Sequence, residues 1–132
     1  MDLEKIVISW VEGAEKDWLA CQHLYDAGDY PQCLFWGHLV LEKVLKAIVV
    51  KVTLEQSPFS HDLVFLASKA HVGLDKVKRD LLNEVNAFNQ FGRYDSEVVD
   101  FMKKCNPEYA QKYFDVIKNL YKWLIDYFQK KK

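Results

Sequence analysis

From Leu3 onward, apolar side chains return every three or four positions. Ile6, Trp10, Ala14, Trp18, Cys21, Leu24 and Tyr25 share one broad face, with charged residues between them. That period is helical and predicts a first helix over about residues 3–27. The "AGD" at 27–29 ends it, with Gly28 suited to the left-handed cap. Asp29 then caps a second helix over about 31–53, and Pro31 fits its first turn, where an amide has no partner. This segment is apolar almost all round apart from Glu42, Lys43 and Lys46, which predicts the central element of a bundle. Pro58 in "LEQSPFSH" breaks the pattern. Ser60 is the expected cap of a third helix, about 61–71, with Asp62 in its first turn and Gly73 at its end. A fourth, about 75–91, shows Val77, Leu81, Leu82, Val85 and Phe88 at helical spacing and stops at Gly92. "EVVDFMKKC" fits a short helix or an extended stretch equally well. Asn106, Pro107 and Glu108 open a last helix, faced by Tyr109, Tyr113, Val116, Leu120, Leu124 and Tyr127. The expected fold is all-α, an up-and-down bundle of four to five helices in a single domain over 1–132.

Composition narrows the function classes. With 132 residues, 50% hydrophobic and 14% aromatic, the chain can build a core without disulfides or metal. Its 18 basic and 19 acidic residues leave a net charge of −1, which argues against wrapping nucleic acid by bulk charge but leaves room for a local basic patch. Cys21, Cys33 and Cys105 are odd in number, widely spaced and without a CxxC pair. They read as reduced, packed thiols of a cytosolic protein. The opening "MDLEKIVISW" carries acids where a secretion signal needs bases. The longest uncharged stretch, "YPQCLFWGHLVL", is about a dozen residues, too short for a bilayer. The expectation is a cytoplasmic protein with no membrane partner.

Two residues break the apolar stripes. Asp17 falls between Ala14, Cys21 and Leu24, where a carboxylate costs several kcal/mol unless it is paired. It is either half of a structural pair, with a lysine of the second helix or with Arg93, or a site carboxylate. His38 sits on the stripe of Leu34, Leu41, Leu45 and Ile48, as a satisfied core group or as a ligand or base. No HExxH, GxSxG, phosphate-binding glycine loop or metal-ligand cluster is present, so no metal is expected. The only arginines are Arg79 and Arg93, the latter within "NAFNQFGRYDSEV".

The stretch "AEKDWLACQHLYDAGDYPQCLFWGHLVLEKVLKAIVV" resembles the first two helices of HEPN domains, through its "A..DW..A..L", "G.Y..C" and "EK.LKA" steps. "SHDL" at 60–63 is similar to that family's THDL-like step, and "GRY" at 92–94 to its RYP-like step. The resemblance implies a helical bundle that pairs as a homodimer. It also implies a minimal nucleotidyltransferase as partner in a toxin–antitoxin-like two-component system, with a nucleotide as the only small-molecule ligand. Under that reading Arg93, Tyr94, His61, Asp62, Lys43, Lys46 and Asp17 are the ligand-binding candidates, Arg93 offering a forked cation to phosphate. Some family branches are metal-independent ribonucleases with a histidine four to six residues after an arginine. No histidine follows Arg79 or Arg93 here, so the resemblance leans away from an enzyme. An alternative is an RNA-cleaving toxin using His61 as base and Arg93 as electrophile. A further alternative is a ligand-free scaffold in which Arg93 is a helix-end charge paired with Asp17 or Asp95. Two steps depart from the family pattern: the positions just before "EK" read Gly37, His38, Leu39 where a glutamine is common, and Asp95 replaces the proline after "RY".

Overall fold

The computed structural model describes residues 2–131, and among them it holds six helices and no strand. They are α1 (Leu3–Asp26), α2 (Tyr30–Thr53), α3 (Leu63–Lys69), α4 (Lys76–Asn86), α5 (Asp95–Lys104) and α6 (Pro107–Lys130). Three of them, α1, α2 and α6, are 24 residues long and carry the bundle. The stretch that fitted helix or extended chain equally is α5, which raises the helix count above the expected four or five.

The α1–α2 turn follows the sequence pattern. Gly28 takes φ +79°, and the Asp29 amide reaches back to the Leu24 carbonyl at 2.9 Å. This closes the last turn of α1 with a left-handed residue that glycine adopts without a Cβ clash. Asp29 holds the N-cap position of α2, but its side chain makes no capping bond. α2 is buried on nearly every side, and packs mainly against α1, α6 and α3. Its Gly37 is a close-approach point. A Cβ there would lie 2.5 Å from Ile117 Cδ1 of α6, so any larger residue requires Ile117 or one of the two helices to shift.

Three local expectations are corrected. Asp62, not Ser60, caps α3, accepting from the amides of Val64 and Phe65 at 3.0 and 3.2 Å. Ser60 instead accepts from the Asp62 amide and forms the turn leading into the cap. The left-handed residue after α3 is His71 at φ +56°, not Gly73. The Tyr127 hydroxyl donates to the His71 carbonyl at 3.0 Å, tying that turn to α6. α4 ends at Asn86, well before Gly92, and Val77 on it faces solvent at 67% exposure.

The three cysteines are free and buried, as read from their spacing. The Cys21 and Cys33 sulfurs are 3.7 Å apart across α1 and α2, and the Cys21 thiol donates to the Cys33 carbonyl. The contact with Cys33 and burial push the Cys21 thiol far up, and burial pushes Cys105 up to about 11, so both are inert as nucleophiles. Among the described residues no helix is long and apolar enough to cross a membrane.

Candidate functional site

The polar residues that α2 carries inside the bundle converge on one carboxylate. Glu42 is only 5% exposed. Its Oε2 accepts from Lys46 Nζ at 3.1 Å, one turn along the same helix. Its Oε1 lies 2.8 Å from His61 Nδ1, contributed by the loop between α2 and α3. His38, fully buried one turn earlier, points its Nε2 at the His61 carbonyl at 2.9 Å. A carbonyl only accepts, so His38 carries its hydrogen on Nε2 and its Nδ1 is a bare lone pair. That Nδ1 has no hydrogen-bond partner among the described residues and sits 3.9 Å from Glu42 Oε1. Burial holds the His38 imidazole below the ordinary histidine range, with the nearby Glu42 charge opposing it. His38 therefore keeps the neutral form at neutral pH and fastens the loop. Lys46 in turn lies 5.2 Å from the Trp10 ring centre, so its ammonium is held between a carboxylate and an indole face.

A row of rings runs from this loop onto the one between α4 and α5. His61 stacks on Phe91 with centres 5.0 Å apart, Phe59 meets His61 edge-on at 5.9 Å, and Phe91 meets Phe35 of α2 edge-on at 5.2 Å. Phe59 is 96% and Phe91 54% exposed, so the row is open to solvent rather than closed into the core. Asp62 belongs to the frame of this surface. Besides capping α3 it accepts from Asn86 Nδ2 at 3.0 Å, while Asn86 Oδ1 accepts from the Leu63 amide at 2.8 Å. That clamp joins the start of α3 to the end of α4 through a single oxygen, Oδ1, of Asp62.

Arg93 lies on the loop between α4 and α5. Gly92 before it takes φ +72°, which turns the chain back beneath α4. The guanidinium donates to the carbonyls of Asn89 (3.0 Å) and Ala87 (3.4 Å), satisfying acceptors left over at the C-terminal end of α4. Its remaining partner is Glu97 at 3.1 Å, not Asp17 or Asp95 as the helix-end reading supposed. Glu97 also accepts from the Tyr94 amide, so one carboxylate steadies both Arg93 and the first turn of α5. A groove of about 230 Å³ opens beside Arg93, bounded by Glu97, Asp100, Lys104 and Tyr109. Tyr94 is exposed and makes no side-chain hydrogen bond among the described residues.

Asp17 finds its partner on α2. Lys43 Nζ lies 2.7 Å from Asp17 Oδ2, an ion-pair contact whose angle falls short of a hydrogen bond, so that oxygen has no hydrogen-bond donor. Gly13 makes room for the lysine: a Cβ there would stand 3.2 Å from Lys43 Cδ. Of the predicted residues, His61 and Lys46 meet through Glu42, and Asp17 meets Lys43. Arg93 and Tyr94 share a loop with Phe91, and no hydrogen bond or ion pair joins Arg93 to His61 among the described residues. Glu42 and the rings of Phe59 and Phe91 were not among the predicted site residues. Glu42 was legible in principle, because His38, Glu42 and Lys46 fall one turn apart on a helix with almost no exposed side. The rings were not, since nothing in sequence spacing brings residues 59 and 91 together.

Among the described residues no group of His, Cys, Asp and Glu is arranged to hold a metal ion. No curated protein and no solved structure matches the chain. The family model of the HEPN domain matches residues 7–130, nearly the whole length, and carries the nucleotide- and RNA-related character of that family in general terms. The SHDL and GRY steps both lie within the matched span. The chain belongs to the HEPN domain family.

Proposed function

We propose that this HEPN domain is a nucleotide-binding and assembly module. It forms a homodimer and acts as the partner of a minimal nucleotidyltransferase in a toxin–antitoxin-like two-component system. The observation that carries the nucleotide part is the open row of rings at Phe59, His61 and Phe91. A π-face accepts any base, and one stacked base is worth about 1–3 kcal/mol when the ring is truncated to alanine. Arg93 and Tyr94 follow Phe91 on the same loop. Three of the five guanidinium hydrogens of Arg93 are committed, which leaves two for a phosphate oxygen. Lys43 adds a half-exposed cation on α2.

The ribonuclease alternative asks His61 and Arg93 to act on one phosphodiester. Within the protomer their side chains are engaged by different groups, Glu42 for His61 and the carbonyls of Ala87 and Asn89 with Glu97 for Arg93. That arrangement favours binding over cleavage.

Titration of the purified protein with nucleoside mono- and triphosphates, followed by calorimetry, tests the reading. Binding is expected to weaken about 5- to 150-fold in Phe91→Ala and to fall in Arg93→Ala. A protein that binds no nucleotide, or a Phe91→Ala variant that binds as well as wild type, would sink it. Light scattering on the eluting peak checks the dimer, and co-purification with a nucleotidyltransferase encoded beside it checks the partner. RNA cleavage that is present in wild type and lost in both His61→Ala and Arg93→Ala would favour the enzyme instead.

A further inference from the structure

In its neutral form His61 offers its surroundings an acceptor and no donor, and this separates what it can bind from what Arg93 can bind. A carboxylate has no proton to give, so the 2.8 Å contact with Glu42 Oε1 requires His61 Nδ1 to donate. In the neutral imidazole the hydrogen is thereby fixed on Nδ1, and Nε2 is the ring nitrogen left with a lone pair. Three restraints keep it so. Glu42 is buried and its other oxygen is held by Lys46, so the acceptor cannot swing away. The backbone of His61 is pinned by His38 through its carbonyl. The Phe91 ring lies against the imidazole face with the two planes 27° apart, which limits rotation of the ring.

Among the described residues nothing donates to Nε2, and 34% of the side chain remains open to solvent. A lone pair repels a phosphate oxygen, which has only lone pairs of its own to offer. It accepts readily from an N–H in its plane. A flat heterocycle placed edge-on to Nε2 would run roughly parallel to Phe91, whose face is itself exposed.

We propose that His61, fixed in this tautomer by Glu42, is the group that reads the nucleobase edge by accepting from its exocyclic amine, as in adenine, while phosphate is held elsewhere. The proposal rests on the nucleotide-binding reading and assigns the two ends of the ligand within it. Glu42 acts as a positioning residue and does not touch the ligand.

The test compares three nucleotides that differ only at the base edge: AMP, the 5′-monophosphate of unsubstituted purine riboside, and N6,N6-dimethyl-AMP. Wild type is expected to bind AMP about 3- to 10-fold more tightly than either analogue, the range of one neutral hydrogen bond. His61→Phe keeps a ring for stacking and is expected to bring the three affinities together. Glu42→Gln offers a carboxamide donor as well as an acceptor, frees the imidazole to change tautomer, and is expected to shrink the ratio. Because Glu42 is buried beside Lys46 and its variant can lose structure, nitrogen-15 NMR of the wild-type histidines supplies an independent readout. At pH 8 His61 is expected to show a protonated Nδ1 and an unprotonated Nε2, with AMP and not inorganic phosphate shifting the Nε2 resonance. Equal affinities for the three nucleotides in wild type would overturn the assignment while leaving nucleotide binding intact, as would a protonated Nε2. Failure of all three to bind would instead remove the reading on which it rests.

Discussion

Gly37 gives the sharpest physical test of the bundle, because the effect of one methyl group can be worked out from a single contact. In an exposed helix interior, Gly→Ala stabilises by about 1 kcal/mol through backbone entropy. At Gly37 the new Cβ would stand 2.5 Å from Ile117 Cδ1, with Cγ2 and Cγ1 of the same residue at 3.2 and 3.4 Å. No carbon–carbon pair tolerates the first distance, so α2 and α6 must separate or Ile117 must leave its rotamer. Overpacking of this kind costs about 1–3 kcal/mol and here outweighs the propensity gain. The expected net loss for Gly37→Ala is about 0–2 kcal/mol, with a fall in Tm of about 4 °C per kcal/mol for a chain of this length. Ile117→Val removes only the offending Cδ1 and by itself costs about 0.5–1.5 kcal/mol. In the double variant the closest remaining approach is the 3.2 Å contact, so its loss should fall short of the sum of the two single losses by about 1 kcal/mol. Urea unfolding followed by tryptophan fluorescence and by helical circular dichroism measures all three. Additivity within about 0.5 kcal/mol, or a Gly37→Ala protein more stable than wild type, would refute the close-approach argument.

Acid should weaken the fold through His38. Its folded pKa is depressed by burial, so the unfolded chain binds the proton more readily. Stability from this group is fully present above the ordinary histidine value of about 6.5 and is lost as pH falls from there toward the lower folded value. Urea midpoints from pH 8 to 5 should decline over that window in wild type and decline less in His38→Gln; parallel profiles would count against it. Asp62→Ala should cost about 1–2 kcal/mol, since one oxygen both caps α3 and receives Asn86. Asn86→Ala should cost a similar amount, and the double variant less than the sum; strict additivity would show the clamp to be nominal. Arg93→Ala should leave global stability within about 1 kcal/mol and speed amide exchange across residues 87–94, with Arg93→Lys failing to restore protection because it lacks the fork. Unchanged exchange in that loop would contradict its role as a cap.

The helical period of α1, α2 and α6 made the core legible because each apolar stripe repeats over six turns or more. The short elements were read less well for a physical reason. α3 spans only seven residues, and Asp62, read as a first-turn residue, takes the cap in place of Ser60, held there also by Asn86, a partner 24 positions away. The same holds for the site. Asp17 announced that it needed a partner, and a lysine of α2 was one of the two candidates named; the structure picks Lys43 and sends Arg93 to Glu97. Burial on every side of α2 was legible, yet the convergence of His38, Glu42, Lys46 and His61 was not, because it depends on how the chain returns after Pro58. Phe91 was invisible as a site residue until its neighbour His61 was placed beside it.

His38, Glu42 and Lys46 occupy successive turns of the helix that also sends Leu34, Leu41 and Leu45 into the interior. Lineages carrying this arrangement are thus not free to drift at the polar strip and at the hydrophobic interior separately, for a change on one shifts the helix that serves both. In the two loops at 54–62 and 87–94, by contrast, Phe59, Phe91 and Tyr94 stand outside the core and can be exchanged without disturbing it. The fold thereby divides one small chain into a strip that resists substitution and a rim on which new binding preferences can arise.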